Sequence, residues 1–187
     1  MLLYTLFIIF VVFNAPFENV LSADTDGYYW RDYIGHVPND AIEGGRDIQG
    51  NPVYVGQAFF KDIGLLPTTI YKGSTNIQVT ARGKVFTSNQ NIKIFCSKSP
   101  DGYRWVPTTI DTMHLLMDCV LLPGGTETNT TLHIGRAYHE METQIGKIYP
   151  RFSEHKGLAL PHNGKEANYK SFEVLTYNCS VKQFCEN

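Results

Sequence analysis

Six histidines (His36, His114, His133, His139, His155 and His162), four cysteines and a scatter of carboxylates could do chemistry in this 187-residue chain. The densest group is "YHEME", Tyr138 to Glu142. A helical zinc protease needs a second histidine four residues after the first, with the glutamate between them acting on water. Thr143 stands at that position, so the motif is not met. No G-x-S-x-G is present to supply a strained nucleophilic serine. Glycoside cleavage needs two carboxylates at a set spatial separation, and nothing in the sequence singles out such a pair. Cys96, Cys119, Cys179 and Cys185 carry neither the C-x-x-C nor the H-x-x-x-H spacing of a zinc site. The expectation is a protein that is not an enzyme and holds no metal or cofactor.

The cysteines then read as structural. Leu2 to Phe13 is an unbroken apolar run, shorter than the roughly 20 residues needed to span a bilayer. Residues 1–23 are therefore read as a signal peptide cut after Ala23. No Lys or Arg precedes the run, so the free amino terminus must serve as its positive end; a buried N-terminal strand is the competing reading. A secreted, extracellular chain, free of the membrane once the leader is removed, is the expectation. Four cysteines in an exported chain imply two disulfides in one of three pairings. The short tail loop favours Cys179–Cys185, which leaves Cys96–Cys119. Acceptor sequons at Asn129 ("NTT") and Asn178 ("NCS") fit export, and the second would compete with oxidation of Cys179. Net charge is −2 with no basic run, which argues against nucleic acid as a partner.

The elements that must position any site are short and β-like. "VYVGQAFF" sets Val53, Val55 and Gln57 on one face against Tyr54 and Gly56 on the other. "NIQVTA", "NIKIFCS", "TLHIGRAY" and "SFEVLTY" behave alike, with turn signals such as "IQGNP", "SPDG" and "PHNG" between them. The expected fold class is all-β and antiparallel. Only Thr109 to Leu122, with Ile110, Met113, Met117 and Val120, has helical spacing. Gly50 is expected to take the positive φ of a tight turn. Gly56 and Gly135 lie inside strands, where glycine weakens pairing unless a neighbour comes close; packing between two copies of one unit is the simplest such neighbour.

Two copies are in fact legible. "NPVYVGQAFF" (Asn51 to Phe60) is echoed by "TLHIGRAYHE" (Thr131 to Glu140). "EGGRDIQG" is answered by "PGGTETNT", "ARGKV" by "HNGKE", "IKIF" by "FEVL" and "GYYW" by "GYRW", all in the same order. Such ordered self-similarity marks a duplicated unit. The expected layout is a first repeat over 24–99 and a second over 100–187, the latter with a disulfide-bearing tail.

These residues resemble the DM-nine (DM9) repeat family, whose unit runs as a Trp, G-x-V-P, G-x-D-x-x-G, Y-V-G-R-A, P-G-K-V, a G-K-E turn and Y-E-V-L. The first copy supplies Trp30, "GHVP" (Gly35 to Pro38), "DAIEGGRDIQG" (Asp40 to Gly50) and "YVGQA" (Tyr54 to Ala58). The second supplies Trp105, "GRA" (Gly135 to Ala137), "IGKIYP" (Ile145 to Pro150), "NGKE" (Asn163 to Glu166) and "FEVL" (Phe172 to Leu175). The resemblance implies two tandem repeats of antiparallel strands, sandwich- or barrel-like, interlaced about a pseudo-twofold axis. It also implies a secreted pattern-recognition protein of innate immunity that binds mannose-type glycans, using the acid of G-x-D-x-x-G and the lysine of P-G-K-V. Those positions map to Asp47 and Lys147. Thr69 replaces the lysine in the first copy, and Thr126 stands at the acid's place in the second with Glu127 one position along, so neither copy is read as holding the full pair.

A fixed carboxylate accepts two hydroxyls of a neutral polyol, and charge-assisted bonds are the stronger kind. Asp47 and Lys147 within about 6–8 Å would make one hybrid site, since a small ligand must bridge them by hydrogen bonds. If each site is local to its repeat, the alternative is a secreted structural or protein-interaction module with degenerate sugar sites. Trp30, Arg136 and Glu166 are secondary binding candidates. Each also has a plainer role: Trp30 and Trp105 as core, Arg136 paired with Glu166 or Glu173, Glu166 as a turn acceptor, and Asp47 as an Asx-turn residue. A homo-oligomer would supply avidity to weak single sites.

Overall fold

The structure, a computed structural model, describes residues 27–150 and 157–179. The expected signal peptide and Cys185 lie outside the described residues. The first copy forms β1 (Tyr28–Asp32), β2 (Glu43–Arg46), β3 (Pro52–Phe60), β4 (Gly64–Tyr71), β5 (Ile77–Ala81), β6 (Lys84–Ser88) and β7 (Ile92–Ser97). The second forms β8 (Tyr103–Thr109), β9 (Val120–Leu121), β10 (Pro123–Glu127), β11 (Thr130–His139), β12 (Glu142–Tyr149), β13 (Gly157–His162), β14 (Lys165–Tyr169) and β15 (Ser171–Tyr177). The protein is all-β and antiparallel, as its alternating segments and frequent turns require.

Strand register shows the duplication residue by residue. Gly56 faces Thr68 in the β3–β4 pair, and Gly135 faces Gly146 in the β11–β12 pair. Trp30 faces Phe95 across β1–β7, as Trp105 faces Leu175 across β8–β15. Even β9 has its counterpart, because an isolated bridge from Ala41 to Cys96 repeats the pairing of Leu121 with Thr176. The hairpin tips match too: Arg82 and Gly83, like Asn163 and Gly164, are both at positive φ, the signature of the two-residue turn that suits twisted strands.

The copies interlace. β10 of the second pairs with β4 of the first, setting Thr126 opposite Leu65 and Glu127 opposite Gly64. The β6 and β14 tips meet at Lys84 and Lys165, so the sheet path runs from one copy through the other and back to β5 of the first. Gly125 shows why this join needs glycine. Its φ is +154°, and a Cβ there would lie 2.0 Å from the Leu65 carbonyl oxygen of β4. Gly45, its counterpart at φ +153°, presses on the Thr143 side chain of β12, so the two close approaches are related by the pseudo-twofold.

Three sequence expectations are corrected. Thr109 to Leu122 holds only a 3-10 turn at Met113–Leu115, because β8 runs through Thr109 and β9 begins at Val120. Its apolar spacing serves a packed loop, with Ile110 and Met113 buried against Phe172 and Val174. The disulfide joins Cys119 to Cys179, and Cys96 is a buried free thiol of the core, so neither Cys96–Cys119 nor Cys179–Cys185 is formed. Cys96 lies on β7 within the apolar cluster of Ile94 and Ala58, where burial pushes its thiol up to about 11. Finally, Gly56 and Gly135 accommodate their own copies rather than the partner copy. A Cβ on Gly56 would meet Ile70, and one on Gly135 would meet Ile148, each at 2.6 Å.

Candidate functional site

The register settles which residues are equivalent around the expected sugar positions. Thr69 faces Val55 as Lys147 faces Ile134, so Thr69 does stand at the lysine's place. The acid is different. Gly45 faces Val53 and Gly125 faces Leu132, each after the same bulge, which makes Arg46 equivalent to Thr126 and Asp47 equivalent to Glu127. The reading that put Thr126 at the acid's place is therefore corrected by one residue. The second copy holds an acid–lysine pair after all.

That pair is closed on itself. Lys147 is 1% exposed and donates to Glu127 Oε2 at 2.5 Å, with Glu166 Oε2 at 3.5 Å on another side. The Tyr149 hydroxyl donates to the same Glu127 oxygen at 2.7 Å, and the ammonium lies 4.7 Å from the Tyr149 ring. Burial and the Glu127 carboxylate push the Tyr149 phenol up, so it remains a donor. Taking two carboxylates and an ammonium out of water is costly unless they satisfy one another. Lys147, Glu127 and Tyr149 do so; Glu166 reaches inward rather than bracing its turn, and its Oε2 has the ammonium 3.5 Å away but no hydrogen-bond partner among the described residues.

The first copy has the same frame with different contents. Tyr71, equivalent to Tyr149, donates to Glu142 Oε1 at 2.7 Å, and Gln144 Nε2 donates to that oxygen at 2.9 Å. Burial raises the Tyr71 phenol, as do the Glu142 hydrogen bond and the charges of Glu142 and Asp47. Thr69, in place of the lysine, accepts the Ile145 N–H at 2.7 Å. Val85 occupies the position of Glu166 at the hairpin tip.

A cleft opens here because of one further difference. β12 pairs with β13, Lys147 facing Ala159, whereas β4 makes no ladder with β5. A Cβ at Gly146 would sit 2.2 Å from the Ala159 carbonyl oxygen, so only glycine lets those strands close. The equivalent of Gly146 is Thr68. Its hydroxyl instead donates to the Gln78 carbonyl at 2.6 Å, holding the strands apart. The Tyr71 carbonyl is likewise taken, by the Tyr33 hydroxyl at 3.0 Å and the Ser74 N–H at 3.1 Å. The resulting cleft is about 260 Å³, lined chiefly by Thr68, Thr69, Tyr71, Asn76, Gln78 and Gln144. The Gln144 side-chain oxygen in this lining is buried with no hydrogen-bond partner.

The remaining expected residues are placed as follows. Asp47 caps its own turn: Oδ1 accepts the N–H groups of Gln49 at 2.9 Å and Asn51 at 2.7 Å. Desolvation pulls its carboxyl up, but these bonds and that of the Asn51 side chain outweigh it and hold the carboxyl below its usual range. Gly50, at φ +83°, completes the turn as expected. No ion pair joins Asp47 to Lys147 among the described residues, and each serves its own copy. Trp30, half-buried, packs edge-on against the core residue Phe95 at 5.0 Å. Arg136 bonds Glu173 at 2.7 Å and the Gly44 carbonyl at 2.7 Å, with its guanidinium 4.5 Å from the Trp105 ring. It ties the copies together and lies outside the cleft lining. Asn129 and Asn178 are exposed turn residues at positive φ. Sequence reasoning missed Thr68 and Gln144; the signal for the first was the contrast of "PTTI" with "IGKI", read at Thr69 and not one residue earlier.

The arrangement defines an internally duplicated, interlaced all-β module with one open and one closed version of the same polar site. The chain belongs to the DM9 repeat family, whose model matches residues 61–169, more than half its length. Its fold is similar to the crystal structure of the nematode sperm cell motility protein MFP2B, with a TM-score of 0.60 at 12% identity. That likeness covers 83% of this chain but 47% of the other, so the chain spans about half of that protein's length. A search of curated proteins finds no match in sequence.

Proposed function

We propose that this DM9 protein is secreted and binds a neutral carbohydrate of mannose type, in innate recognition, through the cleft of its first repeat. The observation that carries the proposal is the chemistry of that cleft. It presents the hydroxyls and amides of Thr68, Thr69, Tyr71, Asn76, Gln78 and Gln144 along one concave wall. Such groups both donate and accept, as the hydroxyls of a neutral sugar do. The volume, about 260 Å³, lies just below the roughly 300–1,000 Å³ of drug-sized sites, which suits one sugar ring. Asp47, whose charge reaches Tyr71 at the cleft, is the acid of this half. Lys147 supports the frame from the closed half.

A second reading, an interaction module with no sugar site, draws on the closed state of the second repeat. The test is a glycan array probed with the oxidised protein beside Gln144→Leu and Thr69→Val. Binding to mannose-type glycans that both variants lose supports the cleft. Absence of any glycan binding at high protein concentration favours the module. The expected secretion is checked by sequencing the amino terminus after expression in a secretory host, which should begin at Asp24.

A further inference from the structure

We propose that His139, His162 and Glu140 form a site for one divalent transition-metal ion of the zinc class. His139 ends β11 and Glu140 begins the turn into β12, while His162 ends β13 at the neighbouring hairpin. The second histidine that "YHEME" lacks in sequence is thus supplied in space. His139 Nε2 lies 3.0 Å from His162 Nδ1, Glu140 Oε1 lies 3.1 Å from His162 Nδ1, and Glu140 Oε2 lies 3.8 Å from His139 Nε2. Ligand bonds of roughly 2.0–2.1 Å in a tetrahedron put donor atoms about 3.3 Å apart. Taking one atom from each residue, the two ring nitrogens and a Glu140 oxygen lie within 4.8 Å of one another, close enough for small side-chain adjustments to make one face of such a tetrahedron, with the fourth position left for water. Two imidazoles and a carboxylate suit zinc, copper or nickel better than calcium or magnesium.

Each ring also has a polar neighbour at its outer nitrogen. His139 Nδ1 is hydrogen-bonded to the Tyr169 hydroxyl, and His162 Nε2 is 3.1 Å from the Asn163 side-chain amide. With a metal on the inner nitrogens, each outer nitrogen carries a proton. The Tyr169 oxygen accepts that of His139, fixing its ring orientation and tautomer, and the Asn163 amide, whose nitrogen faces His162 Nε2 here, would turn over to present its oxygen to the other. Glu140 and Met141 both stand at positive φ, 50° and 66°, in a turn that carries no glycine. The fold itself does not demand the histidines. The equivalent positions of the first copy are Phe60 and Ala81, each the strand residue before the matching turn. The site therefore belongs to the second copy alone. An ion there would clip the β11–β12 turn to the β13–β14 hairpin.

The test is calorimetric titration of Zn²⁺ into the chelator-treated, full-length protein, with Co²⁺ absorption reporting coordination geometry. One ion per chain and a tetrahedral Co²⁺ spectrum are expected. His162→Ala, which copies the first repeat, should abolish that binding. Tyr169→Phe should weaken it roughly 10–100-fold, as loss of an orienting partner does. Circular dichroism and melting establish that each variant is folded. The proposal is overturned if no ion binds below millimolar concentration, or if binding survives in the His139→Phe/His162→Ala double variant.

Discussion

Replacing Lys147 with Met removes one ammonium and leaves most of its aliphatic stem in place. What remains is two carboxylates with side chains 5% and 2% exposed, those of Glu127 and Glu166, facing each other with no cation. Breaking a buried ion pair from one side costs about 3–5 kcal/mol, because the surviving charge is uncompensated. For a domain of 150–250 residues each kcal/mol moves the melting temperature by roughly 2–4 °C. Lys147→Met should therefore melt roughly 6–20 °C below the parent. The triple change Glu127→Gln/Lys147→Met/Glu166→Gln, which removes every charge of the cluster, should recover most of that loss, since a neutral replacement of a buried charged group is often tolerated. Calorimetric or fluorescence melting at pH 7 reads both. A Lys147→Met protein melting within about 2 °C of the parent refutes the reasoning. Lys147 would then be a solvated ligand-binding lysine rather than the counter-ion of a closed cluster.

Thr68→Gly should let β4 close on β5 as Gly146 lets β12 close on β13, and so abolish sugar binding while the fold is kept; hydrogen exchange at β5 should slow. Gly146→Ala should do the reverse and destabilise, by about 1–3 kcal/mol in chemical denaturation, because its Cβ would overlap the Ala159 carbonyl. Cys119 and Cys179 are 60 residues apart, so reduction should cost about 4 kcal/mol if restriction of the unfolded chain dominates; urea melts with and without reductant measure it. Burial lowers the His133 pKa below its ordinary 6.5, so the unfolded chain binds more protons just below that pH. Stability should be flat above about pH 6.5 and fall as pH drops toward the folded pKa, and His133→Asn should flatten that slope.

The duplicated frame was legible in the sequence because strands advertise themselves by alternation and turns by glycine and asparagine. "VYVGQA" and "HIGRA" do form equivalent strands, and "ARGKV" and "HNGKE" do form equivalent tips. Asp47 caps its turn, and Arg136 takes Glu173 as its partner. What escaped was anything fixed by register or by contact between distant segments. The acid's place at Glu127 is fixed by strand register, since β2 and β10 carry the same bulge and so set Asp47 and Glu127 in equivalent positions. The disulfide was misread because tail spacing says nothing about which strand lies beside Cys179: β9, next to Cys119, pairs with β15. The helical spacing over Thr109 to Leu122 was met by a folded loop because both flanks were claimed by strands. Within the candidate site, Thr69 was visible as a departure from the family pattern. Gln144 and Glu142 come from the other copy and reach the cleft only through interlacing.

The most direct test of the open-site, closed-site assignment is a two-dimensional amide NMR titration of the protein with methyl α-mannoside. The expected result is saturable shifts of the Gln144 side-chain amide and of the Thr68, Thr69 and Gln78 backbone amides, with the amides of Glu127 and Tyr149 in the closed cluster unmoved. Shifts centred instead on Lys147 and Glu127, or none at ligand concentrations of tens of millimolar, would contradict it.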